Sequence, residues 1–342
     1  MRYADRTAAL LAFAALLALR PAVAAPSGCP AEPPGVPQAT ITNGAVSAVL
    51  LLPDADKGYY RGARFDWSGV VWCLVYKGHN YFGVWNPRSD PATGNAITGP
   101  VNEFFGGDGR TGIGYDQAKP GELFLKPGVG VLRRIDDKPY SINGRYPIVD
   151  GGTWSVRTAK SSVTYRQDLK SPLGISYAYE KKLSLDPKQP VLVLEYQMKN
   201  TGATPIDIQM YNHDFFVLDD THTGPDVSLR FPFTPVLDRP LQNGARVDGE
   251  RIVYDRELAE GETAASNIST GFSGTPADFH FIVENTRTGV GVEETGDQPI
   301  TKIVFWSNPK TVAPEAYVHQ TIAPGKTGRW SIRYRFYARD GG

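Results

Sequence analysis

Apolar and polar residues alternate with a period of two through much of this chain, the pattern of half-buried strands. It is clearest over 191–216, VLVLEYQMKNTGATPIDIQMYNHDFF, where two alternating runs flank a turn at Asn200-Thr201-Gly202. Residues 39–52 predict two more strands around Asn43-Gly44, a dipeptide suited to the left-handed conformations of tight hairpins. The pattern also predicts strands at 70–76, 80–85, 130–134, 162–169 and 175–185. After the central pair it predicts 251–254, 278–284, 288–293, 302–306, 317–322 and 329–338. Turn dipeptides punctuate the series at Lys77-Gly78, Asn243-Gly244 and Pro324-Gly325. No stretch sustains a helical period, so the expected class is all-β. So many strands cannot share one flat sheet; stacked antiparallel sheets or a closed barrel would bury one face of each. Residues 90–110, with Gly94, Gly99, Pro100 and Gly106-Gly107, read as a long loop or lid.

The 36 glycines and 27 prolines fit a turn-rich β protein. Basic and acidic residues number 36 each, so the formal charge is zero and nothing recommends a nucleic acid partner. Of the 17 tyrosines, 15 phenylalanines and 6 tryptophans, most are expected in packing, with some left to offer faces on which sugar rings stack.

The N-terminus reads as an export signal over 1–24: Arg2 and Arg6, an apolar run at 8–19, then Ala22-Val23-Ala24. The expected location is periplasmic or secreted. That run is too short to span a bilayer, and no later segment approaches the length needed. Residues 25–38 read as a proline-rich tether and 39–342 as one domain. Cys29 and Cys73 would either pair in an oxidising compartment or remain thiols; sequence leaves both open.

Several residue groups carry candidate chemistry. His213 ends a strand among aromatics, where an imidazole is suited to proton transfer. In GYYRGARFDW, Arg61 and Arg64 with Asp66 offer a clamp for a carboxylate or hydroxyls, and Tyr59, Tyr60 or Trp67 a stacking face. Surface salt bridges before a strand would use the same residues. Glu103, Asp116 and Lys126 lie in the glycine-bearing region 103–130, where carboxylates and a lysine could act as acid, base or uronate contacts. The five histidines are scattered without metal-binding spacing, so no metal is expected. Asp219, Asp220, His222 and Asp226 suit calcium or an ordinary hydrophilic turn. No nucleophile elbow, phosphate loop or dinucleotide fingerprint occurs, so no cofactor is expected.

Residues 210–217, MYNHDFFV, and 311–337, TVAPEAYVHQTIAPGKTGRWSIRYRFY, together resemble the galactose mutarotase (aldose 1-epimerase) superfamily. In that family a strand pair ends in Asn-His-x-x-Phe, and a C-terminal glutamate precedes a Pro-Gly hairpin and a last strand. The resemblance covers 39–337 and implies a large antiparallel β-sandwich, the mutarotase-like supersandwich, with a mono- or oligosaccharide substrate. It implies Glu315 as the base at the anomeric hydroxyl and His213 as the acid toward the ring oxygen, with Asn212 beside it in the sugar site. His319, on the same side of an extended strand as Glu315, is a candidate second histidine. The chain departs from the family in two places. Phe105, in VNEFFGGDGR, stands where an early His-Gly-Gly histidine would fall, and GYYRGARFDW replaces Gly-Arg-x-Ala-Asn-Arg. These departures imply a divergent branch. A sugar 1-epimerase is the simplest reading; a glycoside hydrolase, a polysaccharide lyase and a non-catalytic glycan-binding protein remain open.

Overall fold

The structure, a computed structural model, describes residues 28–86, 90–94 and 97–339; the expected export signal lies outside them. Helical content among these residues is confined to short 3-10 turns such as Pro276–Asp278, and no helix is long and apolar enough to cross a membrane.

Two large antiparallel layers build the domain. One sheet has ten strands, in the order Ala245–Asp248, Arg251–Tyr254, Val227–Arg230, His280–Asn285, Val290–Gly296, Thr327–Ala338, Val191–Asn200, Ser176–Leu185, Ser162–Lys170 and Thr153–Ala159. The facing layer contains six strands, in the order Val236–Leu237, Ala264–Thr270, Ile300–Asn308, Thr311–Ile322, Ile206–His213 and Val101–Gly106. Four N-terminal strands, Gln38–Thr42, Val46–Leu51, Val70–Tyr76 and His79–Phe82, extend this layer, with Phe216 bridging to both Phe82 and Val312. A small sheet of Leu123–Lys126, Gly130–Arg133 and Ile148–Asp150 completes the set.

Alternation dictates which side chains meet. Ser176–Leu185 buries every second residue, so Tyr177, Tyr179, Leu183 and Leu185 point inward. They join Leu194, Ile332 and Phe336 against Ile208, Met210, Phe305 and Val318 of the six-stranded sheet and Leu50 and Leu74 of the N-terminal strands. Each aliphatic side chain buried in this way contributes about 1.5–3 kcal/mol.

The sandwich agrees with the expected class, and Val70–Tyr76 and Arg251–Tyr254 fall at the expected limits. The loop or lid expected at 90–110 is corrected: Val101–Gly106 is a strand, paired in antiparallel with Ile206–His213. Glycine and proline bracket it, and five of its six residues are buried, so it shows no alternation. Thr311–Ile322 begins well before the expected 317 because Pro314 disguised it. Its pairing with Ile206–His213 ends at Met210–Val318, so the missing proline N–H falls beyond the shared ladder.

Cys29 and Cys73 form a disulfide, with Cα atoms 5.7 Å apart. The proline-rich segment lies along the fold: Trp72 Nε1 donates to the Pro30 carbonyl at 3.3 Å and the Leu52 amide to that of Pro37 at 2.8 Å.

Candidate functional site

The edge of the six-stranded sheet separates two sets of side chains. In register, Tyr211 faces Glu103 and Asn212 faces Asn102. Alternation sends Tyr211, His213 and Phe105 to the outer face and Met210, Asn212 and Phe104 toward the facing sheet. On the neighbouring strand Glu315 and Tyr317 point outward, while Ala316 and Val318 pack inward. Arg64, Trp85, Gly94 and Asn143 come from connecting segments and cover this outer face, enclosing a cavity of about 310 Å³.

At its floor, His213 Nε2 lies 3.0 Å from Glu315 Oε1, and both residues are buried. His213 stacks on Phe215 with ring centroids 3.5 Å apart, and Phe215 stacks on Trp85 at 4.9 Å. Trp306 meets the imidazole edge-on at 5.5 Å. The stack requires Phe215 to adopt a left-handed backbone with φ of 45°, a costly conformation for an aromatic residue. Burial, with Arg64 adding to it, pushes His213 well below the ordinary imidazole range. Burial pushes the Glu315 carboxyl well above the ordinary carboxylate range. The favoured state is therefore a neutral pair, with Oε1 and Nε2 close enough for a proton to pass between them.

A second buried charge cluster supports the pair. Glu103, fully buried, accepts from Lys126 Nζ at 2.7 Å, Arg64 Nε at 2.8 Å and the Tyr211 hydroxyl at 2.6 Å. Burial alone would raise the Glu103 carboxyl, but Lys126 and Arg64 outweigh it and hold it below its usual value. Arg64 also donates to Tyr211 at 3.0 Å and lies 4.4 Å from the centroid of the Phe65 ring. Tyr60 fixes the turn that delivers Arg64, its hydroxyl accepting the Arg64 and Phe65 amides at 3.1 and 3.0 Å. Two cations against Glu103 leave one positive charge beside Glu315, the counter-charge a carboxylate there would need.

The structure thus gathers His213, Glu315, Arg64, Glu103 and Lys126. It places the other sequence candidates elsewhere. Asn212 points into the core, where its Nδ2 donates to the Tyr334 hydroxyl at 2.7 Å, so alternation removes it from the sugar side. Asp66 is buried in the same interior, accepting from the Tyr179 hydroxyl at 2.8 Å and lying 3.7 Å from Lys181. Trp67 is buried, with its indole N–H spent on the Gly62 carbonyl at 2.9 Å. Arg61 donates back to the Asp56 carbonyl, and Asp116 is exposed. His319 does share the face of Glu315 but lies two strand steps further out, paired with Asp207 at 2.6 Å. In the suggested calcium cluster, Asp219 turns to His79 at 2.8 Å and Asp226 to Arg287 at 3.1 Å.

Sequence reasoning missed Tyr211, Tyr317, Phe215, Trp85 and Trp306. Period two was the available signal for the tyrosines: Tyr211 is two before His213 and Tyr317 two after Glu315. Phe105, flagged as the place of a missing histidine, stacks with Tyr211 and Tyr317 in the cavity wall. Burial raises the Tyr211 and Tyr317 hydroxyls well above their ordinary range, which keeps both protonated, Tyr211 donating to Glu103. The whole forms an aromatic-walled cavity with a buried histidine and glutamate in contact at its floor.

No protein-family model matches this chain, and no curated protein sequence matches it. Solved structures do. The Slr1438 protein from Synechocystis sp. PCC 6803 superposes with a TM-score of 0.56 at 12% identity, over 90% of this chain and 97% of that one. The GalM/aldose epimerase homologue from C. elegans gives 0.54 at 15% identity, covering 89% and 100%. A galactose mutarotase-like protein from Lactobacillus casei ATCC 334 gives 0.52 at 13% identity, covering 88% and 100%. The chain therefore has the galactose mutarotase-like fold, carried by a sequence far diverged from these relatives.

Proposed function

We propose that this protein is an exported carbohydrate-active enzyme that interconverts the anomers of a sugar, with Glu315 as base and His213 as acid. The His213–Glu315 contact at the floor of the aromatic cavity carries this reading. Moving the carboxyl proton of Glu315 to Nε2, 3.0 Å from Oε1, creates a carboxylate beside an imidazolium, so one transfer arms both groups. Glu315 then takes the proton of the anomeric hydroxyl while His213 protonates the ring oxygen. The C1–O5 bond breaks, a carbonyl forms at C1, and rotation followed by reclosure gives either anomer. The surplus positive charge of Arg64 and Lys126 over Glu103 favours the carboxylate form when it is needed. Tyr317 supplies a donor to sugar hydroxyls, Tyr211 spends its own on Glu103, and Phe105 and Trp306 supply stacking faces.

Hydrolysis of a glycosidic bond would call for a second available carboxylate. Glu103 is committed to Lys126, Arg64 and Tyr211. A lyase would need a free arginine to clamp a uronate, and Arg64 is held by Glu103 and Tyr211. Neither alternative has an observation in its favour.

Exchange NMR on a panel of aldoses tests the reading. Accelerated α/β exchange with wild type and its loss in Glu315→Gln is the expected result. Release of reducing ends or of an unsaturated product, without faster anomer exchange, would replace it.

A further inference from the structure

The cavity over His213 and Glu315 has a neighbour. Along Ile300–Asn308 alternation turns Val304, Trp306 and Asn308 to the outer face, while Ile303, Phe305 and Ser307 are buried. Val304 and Trp306 line the cavity already described, and Asn308, one period further on, lines a second, also of about 310 Å³. Trp85 belongs to the walls of both. Its indole N–H is spent on the Ile97 carbonyl at 2.8 Å and one face on Phe215, so it offers only apolar ring. The far wall is the connection between Arg251–Tyr254 and Ala264–Thr270, which contributes Glu260, Glu262 and Thr263. A fork pins that connection: Arg256 donates to both Glu262 oxygens at 2.7 and 2.8 Å, and Glu262 also accepts the Ala259 amide at 2.8 Å. Asn308 Oδ1 accepts the Lys310 and Thr311 amides at 2.8 and 3.1 Å, which fixes the hairpin. Its Nδ2 donors and the Thr263 hydroxyl have no partner among the described residues.

We propose that this second cavity is a subsite for a neutral sugar, and that the protein acts on the reducing end of a di- or oligosaccharide. The inference rests on the anomer exchange proposed above, which places C1 of the reducing sugar at Glu315. That sugar carries its glycosidic link elsewhere on the ring, so the rest of the glycan has to leave the cavity. Register orders the outer face in rows: Lys302 with Tyr317, Val304 with Glu315, then Trp306 and Asn308 beyond. On one side of Glu315 the tyrosine row meets the Glu103 cluster, whose donors are committed to that carboxylate. The direction of Asn308 leads instead into the second cavity. Side chains two positions apart on a strand stand about 6.7 Å from one another, a step suited to the next ring of a glycan. The lining suits a saccharide, with an apolar indole for the C–H face of the ring and unspent amide and hydroxyl groups for its oxygens. Its charges cancel, Arg256 balancing Glu262 and Lys310 balancing Glu260, so nothing there selects a uronate or a phosphate.

The test compares reducing disaccharides with their own reducing-end monosaccharides by exchange NMR. Maltose, cellobiose and lactose are set against glucose, β-1,4-mannobiose against mannose and β-1,4-galactobiose against galactose. At least one disaccharide is expected to exceed its monosaccharide in kcat/KM by about tenfold or more, because binding of the second ring is drawn on at the first. Two variants address the subsite. Thr263→Arg fills it from an exposed position, and Asn308→Asp removes the amide donors while keeping the oxygen that fixes the hairpin. Each should lower the disaccharide-to-monosaccharide ratio about threefold or more. Equal kcat/KM within every pair, or a preference that survives in either variant, overturns the subsite and leaves anomer exchange standing. If no sugar exchanges, the reaction fails instead, and tryptophan fluorescence titration with the same sugars decides the subsite alone. Tighter binding of a disaccharide by wild type, weakened in both variants, then supports it, and any other result refutes it.

Discussion

His213 Nε2 and Glu315 Oε1 are 3.0 Å apart, brought together by two neighbouring strands from distant parts of the sequence. Both side chains are buried, and burial drives their proton affinities in opposite directions, the histidine down and the glutamate up. The pair rests in its neutral form, and moving one proton across that 3.0 Å gap would make it an ion pair.

Replacing Glu315 by glutamine keeps the shape and removes the titration. Anomer exchange in Glu315→Gln is expected to slow by about 10²–10⁴-fold. Thermal unfolding should occur no lower than in wild type, because a buried acid gives way to a neutral isostere. Exchange NMR and a melting curve check both halves; a fully active variant removes Glu315 from the chemistry.

The pH dependence of stability separates the two partners. Glu315, raised in the fold, binds its proton more tightly folded than unfolded, so its contribution falls as pH rises above the ordinary carboxyl range near ~4. His213, lowered in the fold, acts oppositely: stability rises with pH through the ordinary imidazole value near ~6.5. Urea midpoints between pH ~5 and ~8 should therefore decline less, or climb more, in Glu315→Gln than in wild type. An identical pH profile in both proteins would show that Glu315 is not raised.

Lys126→Met leaves Glu103 with Arg64 alone in a fully buried position. That pair stays balanced, whereas Glu103→Gln strips the counter-charge from both cations, and breaking a buried cluster in that way costs about 3–5 kcal/mol. In a double-mutant cycle in urea, adding Lys126→Met should recover part of the Glu103→Gln loss, because it removes one of the two cations left without a partner. Simple additivity would contradict the coupling.

Gly99 lies where the turn after His213 passes. A Cβ there would stand 1.9 Å from the Asp214 carbonyl oxygen. That contact is with backbone, so Gly99→Ala should displace the turn and destabilise by about 1–3 kcal/mol. The near-ultraviolet signal of Trp85 and Trp306 should change with it; a wild-type spectrum and melting curve would count against this packing.

The Cys29–Cys73 bridge closes a loop with a sequence separation of 44. On chain-entropy grounds its loss costs about 4 kcal/mol. Cys29→Ser should lower the urea midpoint under oxidising conditions, and wild type treated with reductant should match it.

The sandwich was legible because alternation is strong in strands such as Ser176–Leu185, with one face in the core and the other half-exposed. Val101–Gly106 was not, because burial of both its faces removes the pattern on which such readings depend. Within the site, His213 and Glu315 stood out through their motifs, and Arg64 through its arginine-aromatic setting. Lys126 and Glu103 were each visible as loop candidates, but their contact closes through tertiary structure that no local spacing encodes. Asn212 was misplaced because the motif makes it adjacent to His213, whereas adjacency on a strand means opposite faces. Trp67 was chosen over Trp85 and Trp306 because nothing local distinguishes a tryptophan that lines a cavity from one that fills a core.

The in-register rows Tyr211–Glu103 and Asn212–Asn102 also bear on how this protein can change. Odd positions on these two strands belong to the cavity side and even ones to the interior, so a library varying Phe105, with Tyr317 on the next strand, would search new ligand preferences while leaving the buried Glu103 cluster and the core untouched. Inserting one residue in either strand would do the reverse, exchanging cavity and core along its length. Evolution on this edge can proceed freely by substitution and hardly at all by insertion or deletion.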